Sequence, residues 1–252
     1  MKTFWKRWIG GERRLTPARL AVASAASLTL ALGLSACESV AGYTQPSLVR
    51  VIDASFIAGA VNIYVESILI AGNIGEGYVS NYGTLPAAGS AVIKVTGASG
   101  GTTLVTSHGT LLAGHQHSVF LTDNGVAPTS YNVTVLEDQM IAAAGGQVDF
   151  RFLNQAPRTG ANGVDVYMVP GSATLATANL LTTVPLGTTV GYISVPAEPL
   201  TMYIAPAGQI VVFTKQALTL TSGQVYTILI VDSQLTNTPP QVLIVADDQP
   251  TT

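Results

Sequence analysis

Val49-Arg50-Val51-Ile52-Asp53 leads through a loop to Val61-Asn62-Ile63-Tyr64-Val65. Phe150-Arg151-Phe152-Leu153-Asn154 leads through a loop to Val164-Asp165-Val166-Tyr167-Met168. Both passages join an alternating stretch that carries Arg to an alternating stretch that carries Tyr. Alternation with period two places Val61, Ile63 and Val65 on one face of a strand and Asn62, Tyr64 and Glu66 on the other. The chain therefore reads as two copies of one β-rich unit.

Two further blocks support the duplication. Gly77, Tyr82 and Pro86 have the same spacings as Gly187, Tyr192 and Pro196. Leu111–Val119 parallels Leu220–Ile228, and an Asp follows each aligned glycine (Gly114, Gly223) by nine residues, Asp123 and Asp232. The offset between copies drifts from 101 (Arg50 to Arg151) to 109 (Gly114 to Gly223), as small loop insertions require. Three blocks in the same order define an internal repeat.

Each copy holds about seven candidate strands. In the first they are 48–54, 61–66, 67–72, 90–97, 102–111, 117–122 and 131–136. In the second they are 148–155, 164–169, 178–184, 200–205, 210–220, 225–232 and 241–246. Short strands with turns at regular spacing over about 100 residues predict a β-sandwich of immunoglobulin-like type. The expected organisation is a signal peptide over 1–36, a tether over 37–47, a first sandwich over 48–138, a linker over 139–147 and a second sandwich over 148–252. One interdigitated sandwich is the alternative, in which the halves do not fold when expressed apart.

Composition agrees with an all-β body. Of the 252 residues 48% are apolar and only 10% charged, with 25 Gly and 13 Pro. Six of the 11 basic residues are Lys2, Lys6, Arg7, Arg13, Arg14 and Arg19. Without residues 1–36 the chain keeps 5 basic and 13 acidic residues, a balance of −8. So few lysines and arginines argue against a nucleic-acid partner, whose phosphates need clustered cations. The single cysteine, Cys37, excludes an intrachain disulfide.

The basic stretch 1–19 precedes an apolar run of 15 residues, 20–34. That is short for a membrane span, which needs roughly 20 residues, and suited to a signal peptide. Leu34-Ser35-Ala36-Cys37 follows, and over these first 37 residues the chain resembles bacterial lipoproteins. The resemblance implies cleavage between Ala36 and Cys37 and diacylglycerol (with palmitate-type acyl chains) on the Cys37 sulfur. A thiolate is the strongest nucleophile available for that thioether, and several acyl chains anchor stably where one is marginal. Glu38 stands where an Asp is associated with inner-membrane retention, so an outer-membrane location, facing the periplasm or the cell surface, is the expectation.

The body resembles a secreted bacterial family known as domain of unknown function 4397. Val164-Asp165-Val166-Tyr167 and Leu220-Thr221-Ser222-Gly223-Gln224-Val225-Tyr226-Thr227 carry the resemblance best. The first copy departs from it at Asn62 and at His117-Ser118. The resemblance spans residues 48–248, and it implies a cell-surface β-sandwich without an assigned activity.

Candidate sites are few. His115 and His117 lie two apart on a strand entrance, and His108 could return across a hairpin; zinc needs three or four ligands. Asp123, Asp232, Asp247 and Asp248 read as turn acids, whereas calcium needs six to eight oxygens. The adjacent carboxylates Glu137-Asp138 and Asp247-Asp248 suit a solvated turn. No nucleophile, phosphate-loop or metalloprotease motif occurs, so no catalytic residue, metal or cofactor is assigned and no enzyme is expected. Tyr64, Tyr82, Tyr167 and Tyr192 suit either a stacking surface for ligand or sheet packing with a bonded hydroxyl. Arg50 and Arg151 are each expected to pair within their own copy. The function expected is a membrane-anchored, non-catalytic binding or structural role in the cell envelope, with an envelope protein as a possible partner; a carbohydrate- or polysaccharide-binding surface module is the alternative.

Overall fold

The computed structural model describes residues 44–125, 130–171, 174–233 and 238–247. Ala36, Cys37 and Asp248 lie outside the described residues. Thr44–Thr252 form one compact unit. It is all-β, with 17 strands and two short 3-10 turns among the described residues.

The first copy supplies β1 (Ser47–Asp53), β2 (Val61–Val65), β3 (Ile68–Ile74), β4 (Tyr78–Val79), β5 (Gly83–Leu85), β6 (Ala88–Gly97), β7 (Thr103–Leu111), β8 (Gln116–Asp123) and β9 (Tyr131–Glu137). The second supplies β10 (Gln147–Gln155), β11 (Val164–Pro170), β12 (Leu180–Val184), β13 (Thr189–Pro196), β14 (Leu200–Pro206), β15 (Thr214–Leu218), β16 (Val225–Val231) and β17 (Gln241–Ala246). In the first copy one sheet runs β4-β1-β8-β9, with β5 also beside β1, and the other runs β3-β2-β6-β7. In the second the corresponding orders are β13-β10-β16-β17 and β12-β11-β14-β15. Two facing sheets per copy make a sandwich, as the alternation predicts.

Three apolar clusters bind the layers. Val49, Val51, Val119 and Leu121 of one sheet meet Val61, Ile63, Ile93 and Val95 of the other in the first copy. Phe150, Phe152, Ile228 and Ile230 meet Val164, Val166, Met202 and Ile204 in the second. The third cluster joins the copies: Ile52 and Phe120 pack with Leu153, Leu229, Val231 and Val245. The order of layers is therefore outer sheet, inner sheet, inner sheet, outer sheet. The strands β1, β8, β10 and β16 are covered on both faces, which is why every residue of β8 is buried, its polar residues included.

Within each inner sheet one pair is parallel. β1 runs beside β8 with Arg50 opposite Ser118, and β10 runs beside β16 with Arg151 opposite Thr227. Parallel neighbours need a long crossover, here the whole outer sheet of the same copy.

The structure corrects part of the strand assignment. β4, β5 and β13 fall in stretches expected to be loops. They are edge strands built from the Gly-Tyr-Pro blocks. Gly191 and Pro196 lie within β13, and such residues weaken the sequence signal of a strand while being tolerated at a sheet edge.

Candidate functional site

Arg50 and Arg151 point from the inner sheets into the seam between the copies, and both are nearly inaccessible, at 1% and 3% exposure. Arg50 donates from Nε to Ser118 Oγ at 2.7 Å, from Nη1 to the Ala246 carbonyl at 2.6 Å, and from Nη2 to Asp247 Oδ1. Arg151 donates from Nε to Thr227 Oγ1 at 3.1 Å, from Nη1 to the Glu137 carbonyl at 2.7 Å, and from Nη2 to Asp138 Oδ1 at 2.6 Å. Each arginine thus takes its carboxylate from the other copy, at the residue just past that copy's last strand. This corrects the expectation of pairing within a copy.

Each aspartate is completed by its own copy. Tyr82 Oη and Ser118 Oγ donate to Asp138 Oδ2 at 2.7 and 2.6 Å. Tyr192 Oη donates to Asp247 Oδ2 at 2.8 Å, and Thr227 Oγ1 lies 3.0 Å from the same oxygen. The tyrosine rings also lie against the guanidinium planes, with Arg50 Cζ 4.9 Å from the Tyr82 centroid and Arg151 Cζ 5.0 Å from that of Tyr192. A cation over an aromatic face is attracted by the ring's negative quadrupole. The edge strands missed in the sequence therefore deliver the tyrosines that close the cluster.

The electrostatics follow from burial. Two guanidiniums and two carboxylates share one dry volume with no net charge. Burial works against the charge on Arg151, but the Asp138 carboxylate overcomes that cost and holds its pKa above the ordinary value. Burial, and then the Asp138 carboxylate, push the Tyr82 hydroxyl well above its ordinary range; burial does the same for Tyr192. Both tyrosines remain neutral donors. All the named donors and acceptors face one another, so the cluster holds the copies in register and presents no group to a substrate.

Asp138 and Asp247 are not the solvated turn acids that their place in the sequence predicts. They are buried, at 2% and 3% exposure, because each ends a strand at the seam. A signal existed: 247 − 138 = 109, the same offset that relates Gly114 to Gly223. Ser118 and Thr227 share that offset, 227 − 118 = 109.

The histidines do not converge. His117 on β8 is buried; it accepts the Leu112 amide at Nε2 (3.2 Å), so in the neutral ring Nδ1 carries the proton, 2.9 Å from Ser47 Oγ. Burial lowers its pKa. His115 is half-exposed and sits 2.6 Å from Glu137 Oε1. His108 stands opposite Val92 on the outer sheet. Among the described residues no group of three or more His, Cys, Asp or Glu is placed to hold a metal ion. Asp123 accepts the Ser55 hydroxyl and the Phe56 amide. Asp232 lies 3.5 Å from the Arg158 guanidinium. These acids close loops at the copy interface.

The four tyrosines divide into two pairs. Tyr82 and Tyr192 are the bonded pair at sheet edges. Tyr64 and Tyr167 are half-buried and stand on the outer faces of the two outer sheets.

A family model described as Domain of unknown function (DUF4397) matches residues 47–167 and again 159–252. The chain belongs to that family, as two tandem copies. No curated protein matches it. Among solved structures, a family 41 carbohydrate-binding module from streptococcal virulence factors, recorded for α-glucan recognition, has 12% identity, covers 75% of this chain and 94% of its own, and gives a TM-score of 0.24. A family 26 module from Eubacterium rectale Amy13K with maltoheptaose gives 9% identity, 81% and 98% coverage, and 0.25. The pneumococcal glycogen-degrading virulence factor SpuA gives 12% identity and 0.26, with 74% of this chain matched to 21% of that one. Scores this low carry no argument about ligand.

Proposed function

We propose that the chain is a lipid-anchored, non-catalytic protein of the bacterial cell envelope, whose paired sandwiches form one stiff module for binding or support. One observation carries the non-catalytic reading: the charged residues that recur in both copies are buried and consumed by each other across the seam. Chemistry that needs a perturbed acid or base at a cleft has none of these groups to use. What supports the anchor is the apolar run 20–34 ending in Leu34-Ser35-Ala36-Cys37, with Cys37 the only cysteine.

The test is the mass and membrane fractionation of the native protein beside a Cys37→Ala variant. The expected native chain begins at an acylated Cys37 and sediments with outer membranes, and the variant is released. A native chain that is unacylated and soluble overturns the anchor.

A further inference from the structure

We propose that the open corner of the second sandwich is a binding site for a small hydrophobic amine, an apolar ring that carries one ammonium group on a short arm. The proposal rests on reading the chain as a non-catalytic binding module, and it does not need the lipid anchor.

The two copies differ in length at this corner. Two residues join β2 to β3, whereas nine join β11 to β12. The offset between copies rises across that stretch, from 103 (Tyr64 to Tyr167) to 110 (Tyr82 to Tyr192). In the first copy the short turn follows Val65, which is fully buried. In the second its counterpart, Met168, is only partly buried and lines a cavity of about 330 Å³. The cavity opens where β12, at the edge of the outer sheet, approaches β13, at the edge of the inner one. Small-molecule sites occupy about 300–1,000 Å³, so this one suits a small ligand. Seven of its ten lining residues are apolar, among them Met168, Leu180, Leu181, Val195 and Leu200. Val195 and Leu200 belong to the second core and close the floor. Leu180 is 51% exposed, an apolar wall that a ligand would cover.

The polar lining decides the class of ligand. Ser194 Oγ is already engaged, donating to Asp149 Oδ1 at 2.5 Å. Glu198 is exposed, and among the described residues its carboxylate has no hydrogen-bond or ion-pair partner. No lysine or arginine lines the cavity. A ligand on these walls therefore meets one free carboxylate, on a body whose balance of −8 favours cations over anions. One ammonium group answers one carboxylate. The carboxylate stands on a turn that is fixed without a ligand. Ala197 N–H donates to the Gly146 carbonyl at 2.9 Å, and Gly171 N–H to the Pro199 carbonyl at 3.1 Å. Such preorganisation lowers the cost of binding. The Met168 thioether packs well against an aromatic ring, so an arylalkylamine fits both parts of the site.

The test titrates the full-length chain with 2-phenylethylamine at low salt, read by ligand-observed NMR. The controls are 2-phenylethanol, with the same ring and no charge, and phenylacetate, with the opposite charge. The amine should bind at least about threefold more tightly than the alcohol, and phenylacetate least, as a partly solvated charge pair requires. Added salt should shrink the preference for the amine. Glu198→Gln should abolish that preference while keeping alcohol binding within about twofold. The unfolding temperature should not move, since the Glu198 side chain is exposed. Leu180→Ser should weaken amine and alcohol alike, by roughly threefold, through lost apolar contact. No binding of the amine, equal binding of the alcohol, or a preference that survives Glu198→Gln overturns the proposal. So does binding that Leu180→Ser leaves untouched. Chemical conversion of the amine during the titration sinks the non-catalytic reading instead, and leaves the site standing.

Discussion

Asp53 and Asn154 hold the same place in the two copies, and their difference is a stability statement. Asn154 Oδ1 accepts the Ala156 amide at 3.0 Å, while Nδ2 donates to Thr159 Oγ1 and to the Val184 carbonyl, each at 3.1 Å. Asp53 Oδ1 accepts the Ser55 amide at 3.0 Å in the same way. Its Oδ2 is buried without a partner. Burial, with Asp123 and Glu76 nearby, pushes the carboxyl up to about 6 from 3.8. A folded-state value above the unfolded one means the native state binds the proton more tightly. The resulting stability is complete below about pH 4 and is lost as pH rises through about 6. Asp53→Asn replaces the bare oxygen with a donor, as the second copy already does. The expected outcome is a gain of about 1–3 kcal/mol at pH 7.5 and loss of the pH dependence between 4 and 6.5, read by urea unfolding across pH. A variant less stable than the parent at pH 7.5 contradicts the account. Nothing in the sequence marks Asp53 as buried, since an acid at a strand end reads as a turn residue.

The crossed ion pairs belong to the scale of elements, because they join strand ends of one copy to the inner sheet of the other. Removing one partner of a buried pair leaves an uncompensated charge and costs about 3–5 kcal/mol. Asp247→Asn and Asp138→Asn should each destabilise the whole body by that order, and by similar amounts, since the two positions are equivalent. Arg50→Met combined with Asp247→Leu should cost clearly less than the sum of the two single changes, because both charges leave together. A double-mutant cycle in denaturant gives the coupling, and additive losses argue against a cross-copy pair. The sequence showed the strands that alternate cleanly, such as β2 and β11. It did not show β4, β5 and β13: β4 is only two residues long, and the glycines and proline within β5 and β13 mimic loops. It showed that Arg50 and Arg151 recur, but not that they exchange carboxylates. That depends on partners 197 residues apart for Arg50 and Asp247, and local pattern carries no information on such distances.

At the scale of the molecule, duplication was legible because it repeats spacings, and the sandwich was legible because it repeats alternation. The seam was not, because a strand covered on both faces looks the same whether its second face meets its own copy or another. The third apolar cluster, Ile52 and Phe120 against Leu153, Leu229 and Val245, and the charge cluster beside it make one cooperative body from two repeats. Tandem sandwiches joined only by a linker unfold as separate units; these two should not. The direct measurement is differential scanning calorimetry of the full chain, with Asp247→Asn beside it. The account predicts a single transition whose calorimetric and van't Hoff enthalpies agree, shifted down as one peak in the variant. Two resolved transitions, with only one of them moved by Asp247→Asn, would contradict it.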